Sequence, residues 1–229
     1  MNVQQYVRNS IERLNSRVSL RSIPLPYVLA GVFLAALAVP SAATSYFMLN
    51  TAIYAFLFIG VGQSWNIIGG YAGQISLGHA AMFAIGGYTT VILFTSYGVT
   101  PYVGLFAGGA IATVAGLALG ALTFRLRYHY FSIATLAAAL GTYMIFLRWD
   151  FVGGAVGLEY PISRVGTAFS LMFENREVYF YVMWAFALLT TLLVYRIHTS
   201  KLGLYLKAID LDQELAENAG LSAFWYKMY

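Results

Sequence analysis

The chain has 229 residues and a formal net charge of +4, yet only 10% of its residues are charged, 60% are hydrophobic and the mean hydropathy is +0.70. A soluble domain carries about 25% charge, and between Arg21 and Arg125 no Asp, Glu, Lys or Arg occurs, so that stretch must face lipid rather than water. The absence of cysteine excludes a disulfide framework, thiolate chemistry and a cysteine-based metal site.

The first 23 residues are basic and lack the long apolar run and small-residue cleavage site of a secretory signal, so they read as a retained cytoplasmic segment. Val3, Val7, Ile11, Leu14 and Val18 recur at helical spacing, with Arg8, Arg13, Arg17 and Arg21 mostly off that face. The segment is either an interfacial helix on anionic lipid or a positive tail that fixes topology. Pro, Gly and charge punctuation then cut the apolar sequence into six spans, 24–39, 45–63, 76–96, 102–124, 130–148 and 178–197. Each is near the ~20 residues a helix needs to cross ~30 Å, the first being short. The predicted fold class is an all-α integral membrane protein, a polytopic helix bundle. Segments 1–23 and 198–229 are cytoplasmic and flank a transmembrane domain, 24–197.

With the N-terminus inside, alternation of six spans gathers Arg8, Arg13, Arg17, Arg21, Arg125, Arg127, Arg196, Lys201, Lys207 and Lys227 on one side, ten of the thirteen Lys and Arg. Arg148, Arg164 and Arg176 lie opposite, among Asp150, Glu159, Glu174 and Glu177. The positive-inside rule therefore selects a cytoplasmic N-terminus.

Between the second and third spans, Gly69-Gly70-Tyr71-Ala72-Gly73-Gln74-Ile75-Ser76-Leu77-Gly78-His79 is apolar enough for a membrane but too glycine-rich for an unbroken helix. A break at membrane depth persists only when buried in protein or lining a watery path. Ser76 is expected to cap the following helix, leaving a positive dipole end near Gln74 and Ser76, a type of site that contacts polar or anionic substrate groups. The same glycines also suit close helix packing. His79 is the sole titratable side chain of the charge-free stretch other than the tyrosines. Without acidic neighbours it cannot form a proton relay and reads as a neutral histidine hydrogen-bonded to a neighbouring helix, near the path.

Gly86-Gly87, Gly104, Gly108-Gly109, Gly116 and Gly120 make small-residue rows through the third and fourth spans, which fit close packing within the chain or against a second membrane subunit. A loop of about thirty residues follows the fifth span, opening Trp149-Asp150-Phe151-Val152-Gly153-Gly154. It is long for a connector and reads as an ordered outer surface where a delivering protein docks, or as a solvated loop. After the sixth span, Leu204, Ala208, Leu211, Leu215 and Ala219 predict one amphipathic helix with Gly220 as its C-terminal cap. Lys207, Asp210, Asp212, Glu214 and Glu217 give it one positive and four negative charges. Anionic lipid repels such a helix, so its stripe is expected in a groove of a protein partner or against its own bundle.

Three blocks resemble a known family, the permease subunits of branched-chain amino acid ABC importers, related to urea and short-amide permeases. They are Gly69 to Ala81 with Gly86-Gly87-Tyr88-Thr89; Tyr130-Phe131-Ser132-Ile133-Ala134-Thr135-Leu136-Ala137 with Gly153-Gly154 and Gly157-Leu158; and Ser200-Lys201-Leu202-Gly203 with Ala208-Ile209, Ala216-Glu217 and Gly220. The resemblance implies a bacterial inner-membrane subunit that pairs with a second permease, two ATPase subunits and an extracytoplasmic substrate-binding protein. It further implies that 198–229 is the segment seated in an ATPase cleft, with Ala208, Asp212, Ala216, Glu217 and Gly220 in that contact. Family members continue into further membrane helices, so the chain is expected to be part of a longer protein.

No Gly-x-x-x-x-Gly-Lys-Ser/Thr loop and no His-Glu-x-x-His site is present. The expected chain therefore binds no cofactor, metal or nucleic acid of its own and relies on ATP used by its partners. Gln74, Ser76 and His79 are the expected path residues. An ion-coupled carrier or channel remains as an alternative class, although such coupling usually leaves acidic residues inside the membrane. A urea or short-amide permease is a second alternative.

Overall fold

The computed structural model describes residues 25–42, 45–126, 129–159, 171–173 and 175–228; the basic segment 1–23, Arg127, Arg164 and Glu174 lie outside them. Among the described residues every regular element is helical. Among these residues five helices are long and apolar enough to cross a membrane, Tyr46–Tyr71, His79–Tyr97, Pro101–Thr123, His129–Arg148 and Arg176–Thr199.

The chain divides into a unit of residues 1–49 and a unit of residues 50–229. In the first, the predicted span 24–39 forms α1 (Leu25–Ala36), a turn at Leu37 and Ala38, and the four-residue α2 (Val39–Ala42). The physical reason for the break is Pro40, whose ring meets the carbonyl four residues back, that of Ala36. Twelve helical residues rise about 18 Å, short of the hydrocarbon thickness.

α3 (Tyr46–Asn66) carries on into the second unit and ends in a π-helical turn (Ile67–Tyr71), so helical structure reaches eight residues beyond the predicted end at Gln63. α4 (His79–Tyr97) and α5 (Pro101–Thr123) form the most extensively packed pair. Their connection is short and chemically specified. Gly98 closes α4 in the left-handed region, Thr100 caps α5 by accepting a hydrogen bond from the Val103 amide at 3.5 Å, and Pro101 opens the helix. The glycine rows account for the close packing. A methyl group at Gly108 would lie 2.5 Å from the Gly86 carbonyl oxygen, and the Thr90 hydroxyl donates across the pair to the Gly104 carbonyl at 3.0 Å.

α6 (His129–Arg148) packs on both α4 and α5. A short 3₁₀ turn (Asp150–Val152) follows, with Val152 buried. α7 (Arg176–Thr199) lies against α3, with Phe56 edge-on to Phe180 at 5.4 Å. At its end the chain bends sharply. Ser200 donates to the Ile197 carbonyl and caps the next helix by accepting from the Gly203 amide, while Gly203 packs so closely on Ile197 that no side chain fits there.

The predicted single helix beyond Lys201 is three: α8 (Lys201–Leu211), α9 (Gln213–Asn218) and α10 (Ala223–Met228). Asp212 separates the first two in extended conformation and caps α9, its carboxylate accepting the Leu215 amide at 3.0 Å. α9 ends as predicted at Gly220, whose φ is +90°. The Gly220 amide donates to the Glu217 carbonyl and the Leu221 amide to the Ala216 carbonyl, the hydrogen-bond pair of a glycine-terminated helix.

Candidate functional site at the broken helix

The chain between the π-helical turn and α4, residues 72–78, has no regular structure, and its polar backbone groups are answered largely by side chains. The Trp65 indole of α3 donates to the Ser76 carbonyl at 2.8 Å, and Ser132 of α6 donates to the Ile75 carbonyl at 2.7 Å. The Leu77 amide donates to Thr135 Oγ1 at 3.1 Å, and Thr135 in turn donates to the Ser132 carbonyl. Ser132 and Thr135 sit three apart and so share one face of α6. This is how an unwound segment survives in an apolar bundle: its groups are satisfied from within the protein.

The other side of the break carries the C-terminal helices. Tyr71, Ala72, Val194 and Leu206 form a buried apolar cluster that joins the break to α7 and α8. The Tyr71 hydroxyl and His198 Nδ1 are 3.1 Å apart, and the Lys207 ammonium lies 5.3 Å from the Tyr71 ring centre. Gly73 has φ +63°, and the Asp210 carboxylate of α8 occupies the place a β-carbon at Gly73 would take. Lys227 of α10 donates to the Gln213 side chain at 3.1 Å, closing the far edge of the same contact. The break is thus a joint in which α8 and α10 bear on the chain that connects α3 to α4.

The three expected path residues fall at this joint. Gln74 is 4% exposed; its Nε2 donates to the Leu126 carbonyl at 3.3 Å, while its Oε1 is buried without a partner among the described residues. Ser76 is buried and accepts the Gly78 amide at 3.3 Å. It does not cap α4, as expected from sequence; Gly78 stands at that position and gives no side-chain cap. The reason is that the extended stretch runs two residues further before helical geometry begins. His79 is the first residue of α4, half-buried, with Nδ1 buried and unpartnered among the described residues.

The expected coupling residues divide in two. Ala216 is buried in the inner cluster and Ala208 is half-buried on the face of Leu204 and Leu211, whereas Asp212, Glu217 and Gly220 are exposed. The apolar stripe read from the sequence is largely on the outside: Leu204, Leu211 and Leu215 are 66%, 86% and 68% exposed. Ile209, Ala216 and Ala223, with Leu206, make the inner face instead. Acidic Asp212, Glu214 and Glu217 flank the outer leucines, while Asp210 turns inward to Gly73. Sequence reasoning missed Asp210, Tyr71, His198, Ser132 and Thr135 as members of the joint. The Ser132/Thr135 spacing was a usable signal; the Gly73–Asp210 contact spans 137 positions and left none.

A family model described as branched-chain amino acid transport system / permease component matches residues 47–229. The high-affinity branched-chain amino acid transport system permease protein LivM of Escherichia coli (strain K12) is 29% identical over 133 residues, 56% of this chain and 31% of the relative. LivM of Salmonella typhimurium (strain LT2) is 29% identical over 111 residues, 48% of this chain and 26% of the relative. The matches therefore span a third or less of those relatives. No solved structure gives a significant match.

Proposed function

The chain belongs to the branched-chain amino acid transport permease family, and from that membership we propose that it is a membrane subunit of an ATP-driven importer that forms part of the translocation path for branched-chain or related amino acids. In this reading it resides in a bacterial inner membrane with the basic end of the bundle in the cytoplasm. A second permease completes the path, two ATPase subunits bind the cytoplasmic face, and a soluble binding protein delivers substrate to the outer loop. ATP is used by the partners.

The observation that carries the reading is the outer face of α8 and α9. Three leucines lie open beside three carboxylates, those of Asp212, Glu214 and Glu217, on helices whose inner face bears directly on the broken segment. An acidic apolar surface next to an anionic leaflet suits a protein groove and not the lipid. Closure of the ATPases would press α8 toward Gly73, move the joint and so tilt α3 and α4 relative to each other, a rigid-body route between outward-open and inward-open states. Gln74, Ser76 and His79 then stand at the inner end of the path. Ala208, Asp212, Glu217 and Gly220 shape the docking surface, and Ala216 seats it on the bundle.

The test is uptake of labelled leucine by vesicles holding the complete transporter. ATP-driven uptake that falls at least tenfold in Glu217→Arg, with the subunit still inserted, is the expected result. Uptake driven by an ion gradient without ATP would sink the proposal in favour of a carrier.

A further inference from the structure

An open cavity of about 370 Å³ lies between α4 and α6, well away from the coupling face. α4 lines it with Ala80, Ala84 and Tyr88, spaced four apart on one face, and α6 adds Thr142 and Phe146. Alanines stand where packed helices would meet through larger side chains, and their size leaves the volume open. The inner end begins one residue beyond His79 and the outer end is covered by the loop 154–157. That loop comes close: a β-carbon on Gly157 would lie 3.7 Å from the Tyr88 hydroxyl. Tyr88 also meets Phe146 edge-on at 4.8 Å, and this ring pair lines a second apolar cavity of about 400 Å³ that reaches Trp149 and Phe151.

We propose that the α4–α6 cavity is the site where the transported amino acid's aliphatic side chain is recognised, with the loop 154–157 as its outer cover; this rests on the permease reading above. The walls are mainly carbon, which suits a branched alkyl group, and the volume matches a small ligand and not a helix of a partner subunit. A lipid tail is the weaker occupant because the cavity carries the Tyr88 hydroxyl and is closed outward by a glycine-rich loop. The site connects the outer loop to the joint, so a side chain held there stands between the delivery face and the segment moved by α8. Snug alkyl pockets discriminate one methylene by about 10–200-fold, so Ala84, Ala139 and Thr142 would set which side chains fit.

The experiment uses the complete transporter in vesicles, comparing leucine and valine. Ala84→Val is expected to lower the leucine-to-valine ratio of kcat/KM about tenfold while valine uptake persists, and that persistence shows that the variant assembles. An unchanged ratio overturns the proposal. As a readout free of mutation, wild-type transporter is irradiated with a diazirine analogue of leucine. Label on peptides carrying residues 80–88 and 139–147, displaced by excess leucine, supports the site. Label confined elsewhere, or label there that leucine does not displace, as from a lipid-like occupant, overturns it. Wild-type vesicles in which uptake of either amino acid is driven by an ion gradient without ATP would defeat the permease reading itself, before any variant is compared.

Discussion

A methyl group at Gly73 would demand two things at once: a left-handed backbone for a residue with a β-carbon, and displacement of the Asp210 carboxylate. Gly73→Ala is therefore predicted to cost about 1–3 kcal/mol of local stability and to depress substrate-stimulated ATPase activity, because the strain falls where α8 meets the break. Gly87→Ala is the matched control. Gly87 has nothing within 4 Å of its added carbon and lies inside α4, so its replacement is predicted to be neutral or stabilising by up to ~1 kcal/mol. Thermal unfolding of the purified transporter, paired with ATPase assays, separates the two; equal behaviour would contradict the joint. The glycine-rich run was legible as a break because four glycines crowd into residues 69–78 with polar Gln74 and Ser76 among them, whereas the glycines of α4 and α5 are spread through mostly apolar helix and serve packing. The partners that stabilise it were not. Trp65, Ser132 and Asp210 reach it from three helices, and no local pattern encodes a contact made across the bundle.

Among the described elements, apolar run length cut at Pro, Gly and charge located every helix long enough to span, because lipid exposure forces long apolar runs. Its failures have particular causes. Pro40 divides the first apolar run into α1 and α2. Beyond Lys201, a stripe at helical spacing concealed a one-residue interruption, since the spacing from Leu211 to Leu215 is the same whether or not the axis turns at Asp212. Of the two places the sequence left open for the stripe, a partner groove or the chain's own bundle, the bundle is not where it goes: Leu211 and Leu215 face out, and Ile209 and Ala216 face in. Asp212 holds this geometry by capping α9. Asp212→Ala is predicted to weaken α9 by about 1 kcal/mol, seen as faster amide hydrogen exchange at Leu215 with exchange in α5 unchanged. Exchange at Leu215 like that of the wild type would show that the kink is held by packing alone.

At the scale of the whole molecule, the described cations Arg125, Arg196, Lys201, Lys207 and Lys227 belong to elements that meet at the end where α5 and α7 finish, and Arg148 and Arg176 to the opposite end. Two of the first group are engaged with rings there: Arg125 lies 5.8 Å from the Phe224 ring centre and Lys207 over Tyr71. Charge distribution and the resemblance blocks thus made the class, the family and the two-ended organisation readable before any contact was known. What the sequence could not convey was that the broken helix and the acidic helices are parts of one joint. The proposed seating of the outer leucines of α8 and α9 against an ATPase subunit is directly measurable because the chain has no cysteine. A single cysteine replacing Leu211, which is 86% exposed, is labelled with a water-soluble maleimide in the membrane subunits alone and with the ATPases bound, with Tyr97→Cys at the outer end of α4 as reference. At least fivefold slower labelling of Leu211→Cys once the ATPases are bound, with Tyr97→Cys unchanged, is the predicted result; equal rates at Leu211→Cys in the two states would rule out an ATPase seated on this face.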